Sequence, residues 1–317
     1  MQKTIKIDWL SFTTRRNLAT VLAHFETLLN PLKAVEKGLY GYTSSAVSAD
    51  GVTVLWSAGR DDIHVQMTGK FCEADFRSLL VHVDKADKIS RLDIAVDCHN
   101  SGFTCSDVWG YLQQGKFIAS SSNFRRFSNL DKRKGETVYL GSPSSERMLR
   151  IYDKGAESGK GGDWVRYEIQ LRSSQANTFY RDCVEMGTIN ESTAGILLSM
   201  LRLVQDTPKR VEKLKSEGNQ SRLKLITFWS ELTDFSEPLS LHVPRLQASI
   251  SSTLRYVKNA AAAIKSLMVM PDFEDFFNDI IKSAKLNNKY KLLQDEIMNC
   301  FTPVDYNFRP MISPVYA

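Results

Sequence analysis

The segment from Thr137 to Arg172 constrains the fold of this chain more than any other. Its sequence, TVYLGSPSSERMLRIYDKGAESGKGGDWVRYEIQLR, alternates polar and apolar residues on both sides of a Gly-rich stretch. A period of two is typical of strands with one buried face, so the segment predicts two polar-faced strands joined by a turn. The polar face of the first strand carries Arg150, Tyr152 and Lys154. The polar face of the second carries Arg166, Glu168, Gln170 and Arg172.

Two other segments repeat this design. SRLDIAVDC at 90–98 aligns Arg91, Asp93 and Asp97 on one face, and IHVQM at 63–67 aligns His64 and Gln66. Alternation by itself indicates only a half-buried antiparallel sheet. Aspartate, however, is disfavoured in strands, so two aspartates four residues apart indicate metal ligation. Together the segments predict an α+β fold, an antiparallel sheet with helices on one face and a polar front.

The arrangement also suggests chemistry. A tyrosine between two cations, beside a strand that carries a carboxylate, is a plausible nucleophile next to a metal site. A second tyrosine, Tyr139, lies on the preceding predicted strand but lacks the cationic neighbours. We expect Tyr139 to pack or to stack on a base. Tyr152 is therefore the preferred nucleophile, against the alternative that it is a structural strand aromatic.

Composition limits the class of protein. At 317 residues the chain fits one large or two smaller domains, and its 43% hydrophobic content suits a globular core. The sequence has no apolar run long enough to span a membrane and no signal peptide, which predicts a cytoplasmic protein without a membrane partner. Its 5 cysteines form no CxxC pair, which argues against a disulfide framework or a zinc site.

Basic residues cluster more than the net charge of +5 suggests. One cluster, interleaved with Phe124 and Phe127, predicts contact with single-stranded or melted DNA. Its members are Arg125, Arg126, Lys132, Arg133 and Lys134. A second cluster lies in a helical region and consists of Lys209, Arg210, Lys213, Lys215, Arg222 and Lys224. The alternative for either cluster is a solvated charged surface.

The chain divides into two predicted regions. Residues 1–236 are strand-rich and would form the catalytic domain, with helical patterns that include 72–83 and 191–203. Residues 237–317 follow a Glu-Pro pair and have a mostly helical pattern. The sequence contains no Walker A, GxGxxG or GxSxG motif, which argues against P-loop, Rossmann and α/β-hydrolase sites.

Taken together, these motifs resemble the Rep_trans family of replication initiation proteins. The matching segments appear in the family's order and are KIDWLSF from 6, IHVQMTG from 63, SRLDIAVD from 90, TVYLGSPSSERMLRIYDKG from 137 and VRYEIQLR from 165. The resemblance implies a variant of the HUH-endonuclease fold that lacks the paired histidines. It also implies a rolling-circle replication initiator that nicks and rejoins single-stranded or supercoiled DNA through a 5′-phosphotyrosyl intermediate.

The resemblance assigns roles to individual residues. Tyr152 would be the nucleophile, and Asp93 and Glu168, with Asp97, would hold Mg²⁺ or Mn²⁺. Arg150 and Lys154 would lower the pKa of Tyr152 or clamp phosphate. Asp8 also matches a family motif, without a defined role. Arg166, on the polar face of the second strand, is predicted to bind DNA together with the first basic cluster.

The implied partners are an origin of replication and a host helicase. Because the motif contains one tyrosine, a second cleavage would favour a homodimer. Two alternatives remain open at this point. A conjugative relaxase would use the same chemistry with other partners, and a non-catalytic origin- or operator-binding protein would use only the basic clusters.

Overall fold

The computed structural model describes most of the 317 residues. The described positions are 1–26, 31–35, 37–73, 76–128, 135–234, 238–239, 241, 257, 260–261, 264–284, 291 and 294. Compact contacts divide the chain into two units, Met1–Val243 and Pro244–Ala317. The first unit therefore extends a few residues past the boundary predicted at 236, and the backbone N–H of Leu239 donates to Gly195 within it.

Strands dominate the first half of the chain. They are β1 Gln2–Thr14, β2 Lys33–Val35, β3 Ser44–Val47, β4 Val52–Trp56, β5 Ile63–Thr68, β6 Lys88–His99, β7 Phe117–Ala119, β8 Phe124–Ser128, β9 Glu136–Leu140, β10 Arg147–Asp153, β11 Trp164–Arg172 and β12 Leu201–Leu203. The helices of the first unit are α1 Leu18–Glu26, α2 Phe76–Leu80, α3 Cys105–Gln113, α4 Lys154–Glu157, α5 Ser173–Phe179, α6 Ile189–Met200, α7 Pro208–Ser216 and α8 Thr227–Leu232.

One large sheet organises the first unit. Within the described residues its order is β2-β3-β4-β5-β1-β6-β11-β10-β9-β8, and every pairing is antiparallel. The long strands β1, β6 and β11 lie at its centre. Antiparallel sheets commonly bury one face and leave the other polar, as the alternation in these sequences predicts.

The helices cover one face of this sheet. α3 packs near β9 and β10, and α5 packs on β6 and β11. The core between the layers combines strand residues such as Ile94 and Ile169 with helix residues such as Val108, Phe179 and Trp229, all fully buried. The predicted α+β fold, with an antiparallel sheet and helices on one face, is thereby confirmed.

Two predicted helices differ from the structure. The segment 72–83 begins within a 3₁₀ turn, Gly69–Glu73, and also contains the short helix α2. The helix predicted over 191–203 ends at Met200, and the next three residues form β12, which pairs with β7. A short apolar stretch such as Leu-Arg-Leu fits either periodicity, and pairing with β7 decides between them.

The second unit is described mainly over 264–284. It contains a helix, here α9, at Phe273–Ser283, in which the rings of Phe273 and Phe277 stack at 5.4 Å. The described residues of this unit agree with the predicted helical character. Among the helices described in the whole chain, none is long and apolar enough to cross a membrane.

Candidate active site on the polar face of the sheet

The register of three neighbouring strands assembles the candidate site. Arg150 on β10 lies opposite Glu168 on β11, and Tyr152 lies opposite Arg166. Arg166 in turn lies opposite Asp97 on β6. Side chains directly opposite each other share a face of the sheet. The strand pairing therefore brings together residues that are far apart in the sequence, such as Asp97 and Arg166, which are 69 positions apart.

Tyr152 and Glu168 form the central contact. The phenol hydroxyl of Tyr152 donates to Oε2 of Glu168 at 3.0 Å. Arg150 binds the other carboxylate oxygen, Oε1, through Nη2. Glu168 is fully buried, whereas the side chain of Arg150 remains 32% exposed. The carboxylate thus holds a phenol and a guanidinium together at the surface of the sheet.

Electrostatics oppose ionisation of this tyrosine. Burial raises the pKa of Tyr152 above its usual value, and the charge of Glu168 adds to the rise, while Arg166 and Arg150 act in the opposite direction. Arg150 thus acts in the expected direction on the pKa of Tyr152, but burial and Glu168 outweigh it. Burial also raises the pKa of Glu168, opposed by Arg150 and reinforced by Asp93.

Lys154 is not on the strand face that its spacing predicted. β10 ends at Asp153, whose carboxylate caps α4 by accepting from the N–H of Ala156 at 2.8 Å. Lys154 begins that helix and forms an ion pair with Glu157. Its Nζ nevertheless lies 5.8 Å from the centre of the Tyr152 ring. Lys154 therefore adds positive charge beside the ring rather than beside the hydroxyl.

Asp97 and Arg166 form a closed pair. Arg166 donates to both oxygens of Asp97, at 2.7 and 2.9 Å, and the indole of Trp164 donates to the same carboxylate. The two side chains are only 2% and 4% exposed. The oxygens of Asp97 accept from cationic and indole donors, and Arg166 is buried. The predicted roles of Asp97 in holding a metal and of Arg166 in binding DNA stay predictions, and each would require this pair to open.

A bulge gives Asp8 its place. The pairing of β1 with β6 shifts between Ile7 and Trp9, so one extra residue stands opposite Asp93. Such bulges re-aim side chains, and here Asp8 accepts from Nη1 of Arg166 at 2.8 Å. Asp8 thereby joins the network on the polar face, a role that its sequence motif did not define.

Asp93 is held from two sides. Arg91 donates to both of its oxygens, with Nη2 at 2.6 Å from Oδ2, and the amide of Gln170 donates at 3.2 Å. A divalent metal needs several convergent oxygen ligands with free lone pairs. In the part of the chain that is described, no group of three or more His, Cys, Asp or Glu side chains is arranged to hold an ion. Asp93 and Glu168 are each paired with an arginine here, so binding a metal would require Arg91 and Arg150 to release them.

The described members of the first basic cluster have different partners. Nη2 of Arg125 donates to the backbone carbonyl of Gly141 at 3.4 Å. Its guanidinium lies 5.6 Å from the centre of the Tyr139 ring. Arg126 instead pairs with Glu136 at 2.7 Å. The remaining predicted members, Lys132, Arg133 and Lys134, lie outside the described residues.

Tyr139 stands beside the site without an acidic partner for its hydroxyl among the contacts described. It lies opposite Arg150 on the neighbouring strand β9, and its ring meets that of Phe127 edge-on at 5.5 Å. This edge-on contact agrees with the expectation that Tyr139 packs, and stacking of its ring on a base stays a prediction. Tyr152 and Tyr139 therefore differ in what their hydroxyls contact, which the sequence alone did not resolve.

His64 and Gln66 lie farther along the polar face, on β5. Nδ1 of His64 is 3.3 Å from the hydroxyl of Thr13, and burial lowers the pKa of His64 to about 4. They line a cavity with Trp9 and Arg91 rather than joining Glu168. The sequence did not indicate that Trp9 lines this cavity, although it directly follows the Asp8 motif residue.

Comparisons with known proteins agree with this fold. The profile of the Rep_trans family, described as replication initiation factor, matches residues 87–283. The putative DNA relaxase NicK of Bacillus subtilis (strain 168) is 23% identical over 292 residues, which span 83% of this chain and 80% of the relative.

A solved structure extends the comparison to the fold. The rolling circle replication initiator protein from Geobacillus stearothermophilus aligns with a TM-score of 0.61 at 24% identity, over 76% of this chain and 99% of that one. At this identity the likeness shows a shared fold. The resemblance drawn from the sequence motifs is confirmed, and because the family profile covers more than half of the chain, this protein belongs to the Rep_trans family of replication initiation factors.

Proposed function

We propose that this protein is a rolling-circle replication initiator that nicks and rejoins one DNA strand at its origin, with Tyr152 as the nucleophile. The observation that carries the proposal is the hydrogen bond of 3.0 Å from the Tyr152 hydroxyl to buried Glu168. A nucleophile within hydrogen-bond reach of a base, with that base oriented by a third group, is a recurrent catalytic arrangement. Arg150 is the third group here.

The proposed step is a transesterification. The phenol oxygen of Tyr152 attacks the scissile phosphorus, and the bond from phosphorus to the 3′ oxygen breaks. The products are a 5′-phosphotyrosyl linkage and a 3′-hydroxyl that primes synthesis. The phenol proton passes to Oε2 of Glu168, and the leaving 3′ oxygen takes up a proton from solvent. Rejoining reverses these transfers.

The raised pKa values favour this division of roles. A neutral phenol is a weak nucleophile, so proton removal has to accompany attack. The raised pKa of Glu168 makes its carboxylate a stronger proton acceptor than an exposed glutamate. Arg150 is 32% exposed and bears a charge that suits the phosphoryl oxygens. We therefore assign Glu168 as general base and Arg150 as the group that orients it and faces phosphate.

A divalent cation, Mg²⁺ or Mn²⁺, is part of the proposal on the chemistry of the donors. Asp93 and Glu168 offer hard oxygen ligands, and such an ion would withdraw charge from the scissile phosphate. Holding it would require Arg91 and Arg150 to release these carboxylates, since both are paired. No step above passes through the ion.

The partners of the proposed reaction are origin DNA, a host helicase and a second copy of this chain. Origin DNA follows from the proposed chemistry, and the proposed site of action is the cytoplasm. A homodimer would supply a second Tyr152 for the cleavage that ends a round of replication. The polar face with Arg125 and Arg150 supports contact with a DNA strand.

The test uses supercoiled DNA of the protein's own replicon, incubated with Mg²⁺, Mn²⁺ or EDTA. We expect open circles and protein linked to the 5′ end, and a loss of both in Tyr152→Phe. Tyr139→Phe is the matched control, because it removes a hydroxyl on the neighbouring strand. Nicking that survives Tyr152→Phe but not Tyr139→Phe would overturn the assignment. Full nicking in EDTA would remove the cation from the proposal.

A conjugative relaxase is the second candidate, favoured by the similarity to the putative DNA relaxase NicK. It would give the same covalent product, so the two candidates differ in whether the nicked replicon is copied or transferred. A third candidate, a non-catalytic origin- or operator-binding protein, predicts tight DNA binding with no nick by either tyrosine. The covalent adduct separates this third reading from the first two.

A further inference from the structure

A cavity of about 360 Å³ lies on the polar face of the sheet, next to the carboxylate site. Ligand pockets begin at roughly 300 Å³, so it has room for one nucleotide-sized group. The lining residues that carry the argument are Trp9, Tyr40, His64, Gln66, Arg91 and Arg172. They combine flat rings, an amide and cations, and the mechanism proposed above leaves all of them without a role in bond breaking.

Flat surfaces form part of the cavity wall. The guanidinium of Arg91 lies 4.0 Å from the centre of the Trp9 ring. Tyr40 is 65% exposed and meets the ring of His64 edge-on at 5.8 Å. Nucleobases stack on aromatic rings and on arginine planes, and they do so with any base because each has a π face. The exposed ring of Tyr40 is therefore suited to cover a base.

Polar atoms between these surfaces are suited to a base edge. The indole nitrogen of Trp9 is buried without a hydrogen-bond partner. Gln66 is 7% exposed, so its amide is held in a fixed place. His64 is neutral at pH 7, because burial lowers its pKa to about 4, and thus presents one donor and one acceptor. Neutral donors and acceptors recognise bases, whereas phosphate favours charged groups.

Cations connect the cavity to the active site. Arg91 and Arg172 lie opposite each other on β6 and β11. Arg91 lines the cavity and also pairs with Asp93 at 2.6 Å. Trp9 on β1 lies three strand spacings, about 14 Å, from its register partner Met148 on β10, and Tyr152 lies four residues, about 13 Å, farther along that strand. A single DNA strand lying across the face would thus reach both places, with Arg172 facing its phosphate backbone.

We propose that this cavity binds one unstacked nucleobase of the DNA strand that Tyr152 attacks, close to the cleaved bond but not at it, and so contributes to origin specificity. The base stacks on Tyr40, and its edge meets Gln66 and the indole N–H of Trp9. This proposal rests on the proposed function, since it assumes that single-stranded DNA crosses the polar face.

The test measures binding rather than cleavage, in the full chain carrying Tyr152→Phe. Fluorescence anisotropy compares the 12-nucleotide strands dA12, dC12 and dT12 with a 12-mer of abasic deoxyribose phosphate. We expect at least one base-bearing strand to bind about tenfold more tightly than the abasic strand. Tyr40→Ala and Gln66→Ala should each reduce that ratio several-fold while leaving affinity for the abasic strand unchanged.

Controls separate this cavity from the rest of the surface. Gln113→Ala changes an exposed glutamine on α3 and should keep the full ratio. Thermal melting of each variant checks that the fold is kept. An unchanged ratio in both cavity variants, or no base-dependent binding at all, would overturn the proposal. The proposal would also be overturned if free dAMP, dCMP or dTMP displaced the bound strand in a way that depended on Tyr40 and Gln66, while the ratio of base-bearing to abasic affinity did not depend on them.

The readout stays informative if the proposed function fails. A protein in which Tyr152→Phe still nicks would lose the nucleophile assignment, while the base-dependent ratio and its response to Tyr40→Ala would still be measured. Conversely, a Tyr152-dependent nick with an unchanged ratio in the cavity variants would retain the chemistry and remove only the base-binding assignment.

Discussion

Two arginine–carboxylate pairs on the same face of the sheet are built from similar residues and differ in what they leave open. Arg166 and Asp97 are 2% and 4% exposed, and the guanidinium binds both carboxylate oxygens. Arg150 is 32% exposed and binds one oxygen of Glu168, which leaves the other to accept from Tyr152.

The difference shows that the arginine bound to a carboxylate determines whether that carboxylate can accept a further proton or ligand. Two donors of Arg166 and the indole of Trp164 occupy three of the roughly four lone-pair sites of the Asp97 carboxylate, which leaves little room for a proton or a metal. Such a pair fixes the alignment of β6 and β11, and breaking it leaves an uncompensated buried charge. A half-open pair keeps a proton acceptor next to a nucleophile. We therefore expect substitutions at the two carboxylates to have opposite consequences for stability and for rate.

Glu168→Gln should give the largest loss of rate. The amide keeps the shape of the side chain but cannot take the proton of Tyr152, so single-turnover nicking should fall by about 10²- to 10⁴-fold. Covalent adduct formation, followed by gel electrophoresis, measures the rate. A rate close to that of the unmodified protein would show that Glu168 is not the base.

Asp97→Asn should give the largest loss of stability. Removing the charge leaves Arg166 paired only with Asp8, and breaking one partner of a buried pair costs about 3–5 kcal/mol. Urea denaturation followed by tryptophan fluorescence measures the free energy of unfolding. Normal stability together with abolished nicking would instead return Asp97 to the role of metal ligand that the sequence predicted.

The pH dependence of nicking should report Glu168. The carboxylate has to be unprotonated to accept the phenol proton, so the rate should rise with pH through the pKa of Glu168. Burial raises that pKa, and the acidic limb of kcat/KM should therefore lie above the ordinary glutamate range. Arg150 lowers this pKa, so in Arg150→Met the limb should move to higher pH. A limb that stays in place would contradict the assignment.

Lys154→Gln should have the smallest effect. Its Nζ lies 5.8 Å from the centre of the Tyr152 ring, and a cation–π contact at a partly exposed site contributes about 0.5–1 kcal/mol. We expect the nicking rate to fall by roughly two- to fivefold and the free energy of unfolding to fall by no more than about 1 kcal/mol. A loss as large as that of Glu168→Gln would show that the ammonium reaches the phosphate in the DNA complex.

Much of the site could be predicted because alternation is local. The period of two puts Arg150 and Tyr152, and likewise Arg166 and Glu168, on polar faces whatever the rest of the chain does. Lys154 failed the same rule because β10 ends at Asp153, where a helix cap competes with the strand. The cavity around Trp9 could not be predicted, since it joins β1, β5, β6 and β11 with Tyr40 from a loop.

The sequence by itself determined the sheet, its polar face and the family, and it singled out Tyr152 as the proposed nucleophile, because each depends on residue types at fixed local spacing. Only the tertiary structure decided which carboxylate each arginine neutralises. That choice depends on strand register and on the bulge at Asp8, which are properties of paired strands rather than of either strand alone. Register therefore makes Asp97 part of a buried pair and leaves Glu168 beside the tyrosine.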